Sequence, residues 1–185
     1  MRTFIAIDLD ESIKTSLLAL LQKLQKTTRN VKWVDRKGLH LTLKFLGEIG
    51  EQECREVMAL LHQIAARHRS FPLRIKGAGQ FPPRSKNPRV FWVGVEDEPG
   101  LAALQEDIEV EFEKIGFAKE AREFHPHLTL GRVKMSTGLD AAQSELERQK
   151  DADLGEMPVK KITLFRSVLK PAGAEYSVLA EEELR

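Results

Sequence analysis

The sequence predicts an α+β fold made by duplication: two lobes related by a pseudo-twofold axis, each a β-α-β-α-β unit. Two observations carry this expectation. The string His-Leu-Thr-Leu occurs twice, at 40–43 and 127–130, and the copies are 87 residues apart (127 less 40) in a chain of 185. Shifting the chain by that offset brings four further apolar patterns into register.

The elements follow in order. Phe4-Ile5-Ala6-Ile7 is an apolar strand candidate and falls on Phe91-Trp92-Val93-Gly94. Ile13, Leu17, Leu20, Leu21 and Leu24 lie three and four apart, the spacing of one helix face, and fall near Leu101, Leu104, Ile108, Phe112 and Ile115. The two His-Leu-Thr-Leu strands come next. A helix through Val57, Leu60, Leu61 and Ile64 matches a weaker run from Leu139 to Leu146, and Phe71–Ile75 matches Pro158–Ile162 as the closing strand. The repeats therefore run about 4–76 and 91–163 within a single two-lobed domain, 1–185. A C-terminal hairpin of Leu164–Leu169 against Tyr176–Leu179, turned by Pro171 and Gly173, completes it. No Gly-, Ser- or Pro-rich linker separates the halves, so they are expected to pack closely. The stretch 81–89 reads as an exposed loop from its prolines.

Lys plus Arg number 29 and Asp plus Glu 28, a formal net charge of +1. That excludes a general nucleic-acid coat, whose affinity comes from neutralising phosphates. Local charge is less even. Seven basic residues and no acid lie from Arg67 to Arg89 (Arg67, Arg69, Arg74, Lys76, Arg84, Lys86, Arg89), whereas Glu96–Glu123 holds ten acids against three bases. The single cysteine, Cys54, cannot close an intramolecular disulfide and reads as an incidental, partly buried thiol. With no secretory leader and no long apolar span, the expected setting is cytoplasmic, away from membranes.

On a strand, His40 and Thr42 point one way while Leu41 and Leu43 anchor the other face, and the same holds for His127 and Thr129. Each string thus offers an imidazole and a hydroxyl to one surface. A pseudo-twofold axis would set the two surfaces across a cleft. Two imidazoles so placed suit in-line displacement at phosphorus, one taking a proton from the attacking oxygen and the other giving one to the leaving oxygen. The threonine hydroxyls can donate to the non-bridging oxygens. His125 and His127 share a face and could hold zinc with His40 as a third ligand. No cysteine pair, nearby Asp or His-Glu-x-x-His string accompanies them, so no metal is expected and His125 reads as packing beside the site. His62 and His68 read as solvated. No Gly-x-x-x-x-Gly-Lys-Ser/Thr loop and no Gly-x-Ser-x-Gly elbow is present, which argues against triphosphate-driven and serine-hydrolase chemistry.

At these residues the sequence resembles the two-histidine phosphoesterase superfamily and, within it, the RNA 2′,3′-cyclic phosphodiesterase or 2′-5′ RNA ligase family. The resemblance rests on Arg2–Asp8, His40–Glu48, Val90–Val95 and Phe124–Arg132. It implies a bilobal α+β fold with antiparallel sheets lining a central cleft and helices outside. It implies metal-independent hydrolysis of RNA 2′,3′-cyclic phosphate ends to a 2′-phosphate by a monomer without cofactors, with reversible 2′-5′ ligation in some members. In that scheme His40 is the proton donor and His127 the proton acceptor, while Thr42 and Thr129 hold the phosphate. Arg132 would pair with phosphate and Phe45 would stack on the terminal base.

Strand alternation conflicts with the last two assignments. Each residue lies five after its histidine, an odd step that points it to the far face of an uninterrupted strand. Gly131 would permit a bulge before Arg132, and the strand could end or bend near Phe45. Two other readings are a non-catalytic RNA-end binding module and a phosphodiesterase for a small cyclic nucleotide or metabolite.

Overall fold

The computed structural model describes residues 1–171 and 173–185. The chain runs β1 (Arg2–Asp8), α1 (Glu11–Gln25), β2 (Val31–Trp33), a 3₁₀ turn (Arg36–Gly38), β3 (His40–Glu48), α2 (Glu51–Ala65) and β4 (Phe71–Phe81). It continues with β5 (Val90–Val95), α3 (Pro99–Lys114), β6 (His127–Val133), α4 (Asp140–Arg148), β7 (Asp153–Val159), β8 (Lys161–Lys170) and β9 (Gly173–Glu183). The strands form two antiparallel sheets, β3-β1-β8-β9 and β2-β6-β5-β4-β7.

The helices form where apolar residues recur every three or four positions. In α1 these are Ile13, Leu17, Leu20, Leu21 and Leu24, all buried, and in α3 they are Leu101, Leu104, Ile108 and Phe112. Pro99 opens α3, where its missing N–H costs nothing, and the Glu98 carboxylate accepts from the Gly100 amide at 3.0 Å. Ile115 falls just beyond the last helical turn and is exposed.

One continuous apolar core draws on both sheets and all four helices. Ile5 and Ile7 of β1, Leu41 and Leu43 of β3, and Leu128 and Leu130 of β6 face it. The other face of the first sheet carries a separate small cluster of Phe4, Ala6 and Phe165 against Tyr176. That is why β1 is buried on both sides, Thr3 through Ile7 without a break.

The closing strands depart from a simple side-by-side duplication. β4 pairs with β5 and β7, while β8 pairs with β1 and β9. Each repeat's closing strand is thus hydrogen-bonded to the opening strand of the other repeat. The strand expected over Pro158–Ile162 is two strands, β7 and β8, parted at Lys160. The three-residue β2 is an addition to the expected order, too short to show a period. The terminal hairpin is longer than expected, running from Lys161↔Glu183 to Lys170↔Gly173. Pro171 lies in its turn and Gly173 opens β9 with φ 149°.

Three cations of the basic run from Arg67 to Arg89 are held in ion pairs. Arg67 pairs with Asp107, Arg74 with Asp153 and Glu156, and Lys76 with Glu96. These three of the seven basic residues are answered by acids from the segments that follow. His68 is likewise not solvated, since its side chain is mostly buried and its Nε2 lies 2.8 Å from Asp107.

Candidate active site

His40 and Thr42 open β3, and the register of β3 on β1 decides what joins them. Asp8 faces His40 and Ala6 faces Thr42, but Ile5 faces Lys44, so Leu43 is an extra residue. Such a bulge resets the alternation that follows it. Leu43 and Lys44 are both buried, and Phe45 returns to the face of His40 and Thr42. There it stands 64% exposed, its ring 5.9 Å from that of Phe4. Phe45 thus stands on the face of its motif, where unbroken alternation would have turned it away.

The second motif repeats the device. Trp92 faces Thr129 and Phe91 faces Gly131, leaving Leu130 as the extra residue on β6. Arg132, opposite Val90, thereby shares the face of His127 and Thr129 and is exposed. Gly131 is needed at this step because β2 lies so close. A Cβ there would sit 2.6 Å from Val31 Cγ1 and 2.7 Å from Trp33 Cε3.

His40 sits in an aromatic box. Its ring centre is 4.8 Å from Phe4, 5.8 Å from Phe165 and 5.2 Å from Tyr176, which meets it edge-on. Burial in this box lowers the His40 pKa to about 4, opposed by the Asp8 carboxylate, assisted by Lys14 and opposed again by a backbone hydrogen bond at Lys37. Asp8 is itself answered by Lys14 at 2.8 Å, which weakens its pull. In the free protein at neutral pH His40 is uncharged.

His127 is held differently. Its Nδ1 lies 2.7 Å from the carbonyl oxygen of His125. A carbonyl only accepts, so Nδ1 carries the proton and Nε2 holds the lone pair of the neutral ring. Phe81 stands edge-on to the His127 ring at 5.2 Å and rests on Trp92. His125 itself is exposed, with Nε2 3.8 Å from Glu123.

β3 and β6 belong to different sheets yet approach within 8 Å between Cα atoms. Tyr176 of the first sheet feels Arg132 of the second. Burial pushes its phenol up, Asp35 adds to that, and the Arg132 and Arg2 guanidinium groups oppose it.

Behind the site, the bulge turns Lys44 into the interior. Its Nζ donates to Glu109 Oε2 at 2.6 Å and to the Ala118 carbonyl at 2.9 Å, while the Glu120 amide and Gln105 donate to the same carboxylate. This charged network ties β3 of the first repeat to α3 of the second. It stands outside the residues singled out from sequence, as do Phe4, Phe165 and Tyr176. The His40 box could not be read from spacing, because β8 and β9 reach it only through sheet pairing. Among the described residues, no three His, Cys, Asp or Glu side chains gather as a metal cluster.

Comparison with known proteins adds relatives of nearly full length. Residues 12–170 match the 2′-5′ RNA ligase superfamily. The chain is 36% identical over 180 residues to a protein of Methanothermobacter thermautotrophicus named RNA 2′,3′-cyclic phosphodiesterase, covering 96% of this chain and 95% of that one. A protein of the same name from Thermotoga maritima is 39% identical over 183 residues, covering 98% and 94%. Among solved structures, TT0787 of Thermus thermophilus superposes with a TM-score of 0.85 at 33% identity, covering 100% of this chain and 98% of that one. Escherichia coli LigT complexed with 3′-AMP superposes with a TM-score of 0.76 at 28% identity, covering 99% and 97%.

Proposed function

The chain belongs to the 2′-5′ RNA ligase superfamily, and from that premise we propose that it opens RNA 2′,3′-cyclic phosphate ends by two-histidine acid–base catalysis. What supports this reading is the pair of bulged strands, β3 and β6: one sets His40, Thr42 and Phe45 on a single face, the other His127, Thr129 and Arg132, and the strands approach within 8 Å between Cα atoms.

A water molecule attacks phosphorus in line with the 3′ oxygen. His127 Nε2, with its lone pair free, takes the proton from that water as the new O–P bond forms. The P–O3′ bond breaks and His40 gives its proton to the departing oxygen, leaving a 3′-hydroxyl and a 2′-phosphate. The Thr42 and Thr129 hydroxyls donate to the non-bridging oxygens, Arg132 answers the phosphate charge, and Phe45 stacks on the terminal base. His40 is neutral before substrate arrives. The diester anion beside it favours the imidazolium, so the acid is charged as substrate binds. With a ribose hydroxyl of a second RNA end in place of water, the same groups would join the two ends 2′-5′.

Because each histidine comes from a different repeat, the reading takes residues 1–185 as one catalytic domain, acting as a monomer. It needs no metal or cofactor, and the lone Cys54 thiol suits a reducing cytoplasm. No helix among the described residues is long and apolar enough to cross a membrane.

Incubation with an oligoribonucleotide ending in a 2′,3′-cyclic phosphate tests the proposal. The expected product is a 2′-phosphomonoester, identified by phosphorus NMR. A cyclic end that survives intact, or one opened to a 3′-phosphate, would defeat it.

A further inference from the structure

Resting on the reading of the site just given, we propose that the β2–β6 edge is a track for the sugar–phosphate backbone of single-stranded RNA on the 5′ side of the reacting end. Lys32 and Lys134 would grip phosphates there beyond Arg132. The preferred substrate is then an oligonucleotide rather than a lone nucleotide.

Lys32 lies directly opposite Arg132 in the β2–β6 pairing. Opposed residues on paired strands share a face, so Lys32 looks into the same space as His127, Thr129 and Arg132. Like charges placed opposite one another destabilise a strand pair. Lys134 follows two positions beyond Arg132, and its amide donates to the Asn30 carbonyl at 2.7 Å, extending the pairing past Val133. All three cationic side chains are exposed.

No acid neighbours these cations along the chain. The chain holds no Asp or Glu from Arg29 to Val34 or from Leu128 to Leu139. Asp35, the first acid beyond β2, accepts from the Gly38 amide at 3.0 Å and caps its own 3₁₀ turn. Some exposed cations of this protein are answered, Arg36 by Glu11, Arg74 by Asp153 and Glu156, Lys161 by Glu181. Lys32, Arg132 and Lys134 form no such pair among the described residues. A row of unanswered cations that begins at the proposed phosphate site and leads outward along a sheet edge fits a repeating anion. A single-stranded RNA backbone is that anion, and its end is already placed by the catalytic groups.

The salt dependence of binding tests this. A fluorescently labelled tetraribonucleotide bearing a terminal 2′-phosphate is titrated with the intact protein from 50 to 200 mM KCl, followed by polarisation. Each phosphate neutralised on a single strand contributes about 0.7 to the slope of log Kd against log salt. The Lys32→Gln/Lys134→Gln protein should therefore have a slope shallower by about 1.4, so wild type loses about sevenfold more affinity across that range. In parallel, the ratio of kcat/KM for a cyclic-ended tetranucleotide to that for a cyclic mononucleotide should fall in the variant. A double variant that keeps the wild-type slope and ratio would overturn the track. Lysine-dependent binding without any opening of cyclic ends would instead uphold the track and defeat the catalytic reading.

Discussion

Nδ1 of His127 is hydrogen-bonded to the carbonyl oxygen of His125 two residues upstream, at 2.7 Å. The contact leaves Nε2 as the nitrogen of the neutral ring that can take a proton. His40, boxed by Phe4, Phe165 and Tyr176, has its pKa lowered to about 4 by burial. Replacing either with alanine should lower kcat/KM on a cyclic-phosphate RNA end by roughly 10²- to 10⁴-fold, the usual worth of one general acid or base. Near-normal turnover by His40→Ala or His127→Ala would remove that residue from the chemistry.

The buried His40 also sets a pH dependence. Since kcat/KM reports the free protein, its acid limb should fall near pH 4 rather than near 6.5, as an apparent value of the histidine pair. A limb near 6.5 would contradict the desolvation of His40.

Stability should follow the same group. Its folded pKa, about 4, lies below the ordinary 6.5, so between these values the unfolded chain binds more protons. The contribution is complete above pH 6.5 and is lost as pH falls to about 4, a change on the order of 3 kcal/mol. His40→Phe, which suits an aromatic box, should flatten the difference between urea midpoints measured at pH 7 and pH 4.5. An unchanged difference would place the acid sensitivity elsewhere.

Phe45→Ala should raise KM for RNA ends while leaving thermal stability close to wild type, since the ring is 64% exposed. Base stacking on an aromatic side chain is worth about 1–3 kcal/mol, or roughly 5- to 150-fold in binding. Phe45→Trp should keep most of the affinity. A fall in melting temperature with KM unmoved would make Phe45 a packing residue.

The Lys44–Glu109 pair is almost wholly buried, with side-chain exposures of 3% and 7%. Lys44→Met strands the carboxylate and should cost about 3–5 kcal/mol in urea unfolding, whereas Lys44→Met/Glu109→Leu should recover most of that loss. Equal costs for the single and double variants would show that the pair itself is net stabilising.

Both His-Leu-Thr-Leu strings, the main helices and the alternation that sends His40 and Thr42 one way were legible from periodicity alone. Phe45 and Arg132 were not, because a bulge exists only relative to a partner strand. Leu43 becomes an extra residue when Ile5 and Ala6 pair around it, and no local pattern announces that. Tyr176 reaches His40 from more than a hundred residues away through β8 and β9, beyond the range of any motif. Charge counted along the chain is incomplete for the same reason. Arg67, Arg74 and Lys76 look like a basic patch in one dimension and are neutralised in three. Lys32 and Arg132, distant in sequence, are the cations that end up side by side.

The crossed placement of β4 and β8 bears on how such a chain could arise. β4 lies beside β5, and β8 lies beside β1, so each copy completes the other's sheet. A single ancestral unit would have had a strand with no seat at home and an open seat beside its first strand. Two such units would satisfy each other only by reciprocal exchange, which a single chain holds in place. The two copies are thus interlocked, and cutting the chain between them would leave neither piece with a whole sheet.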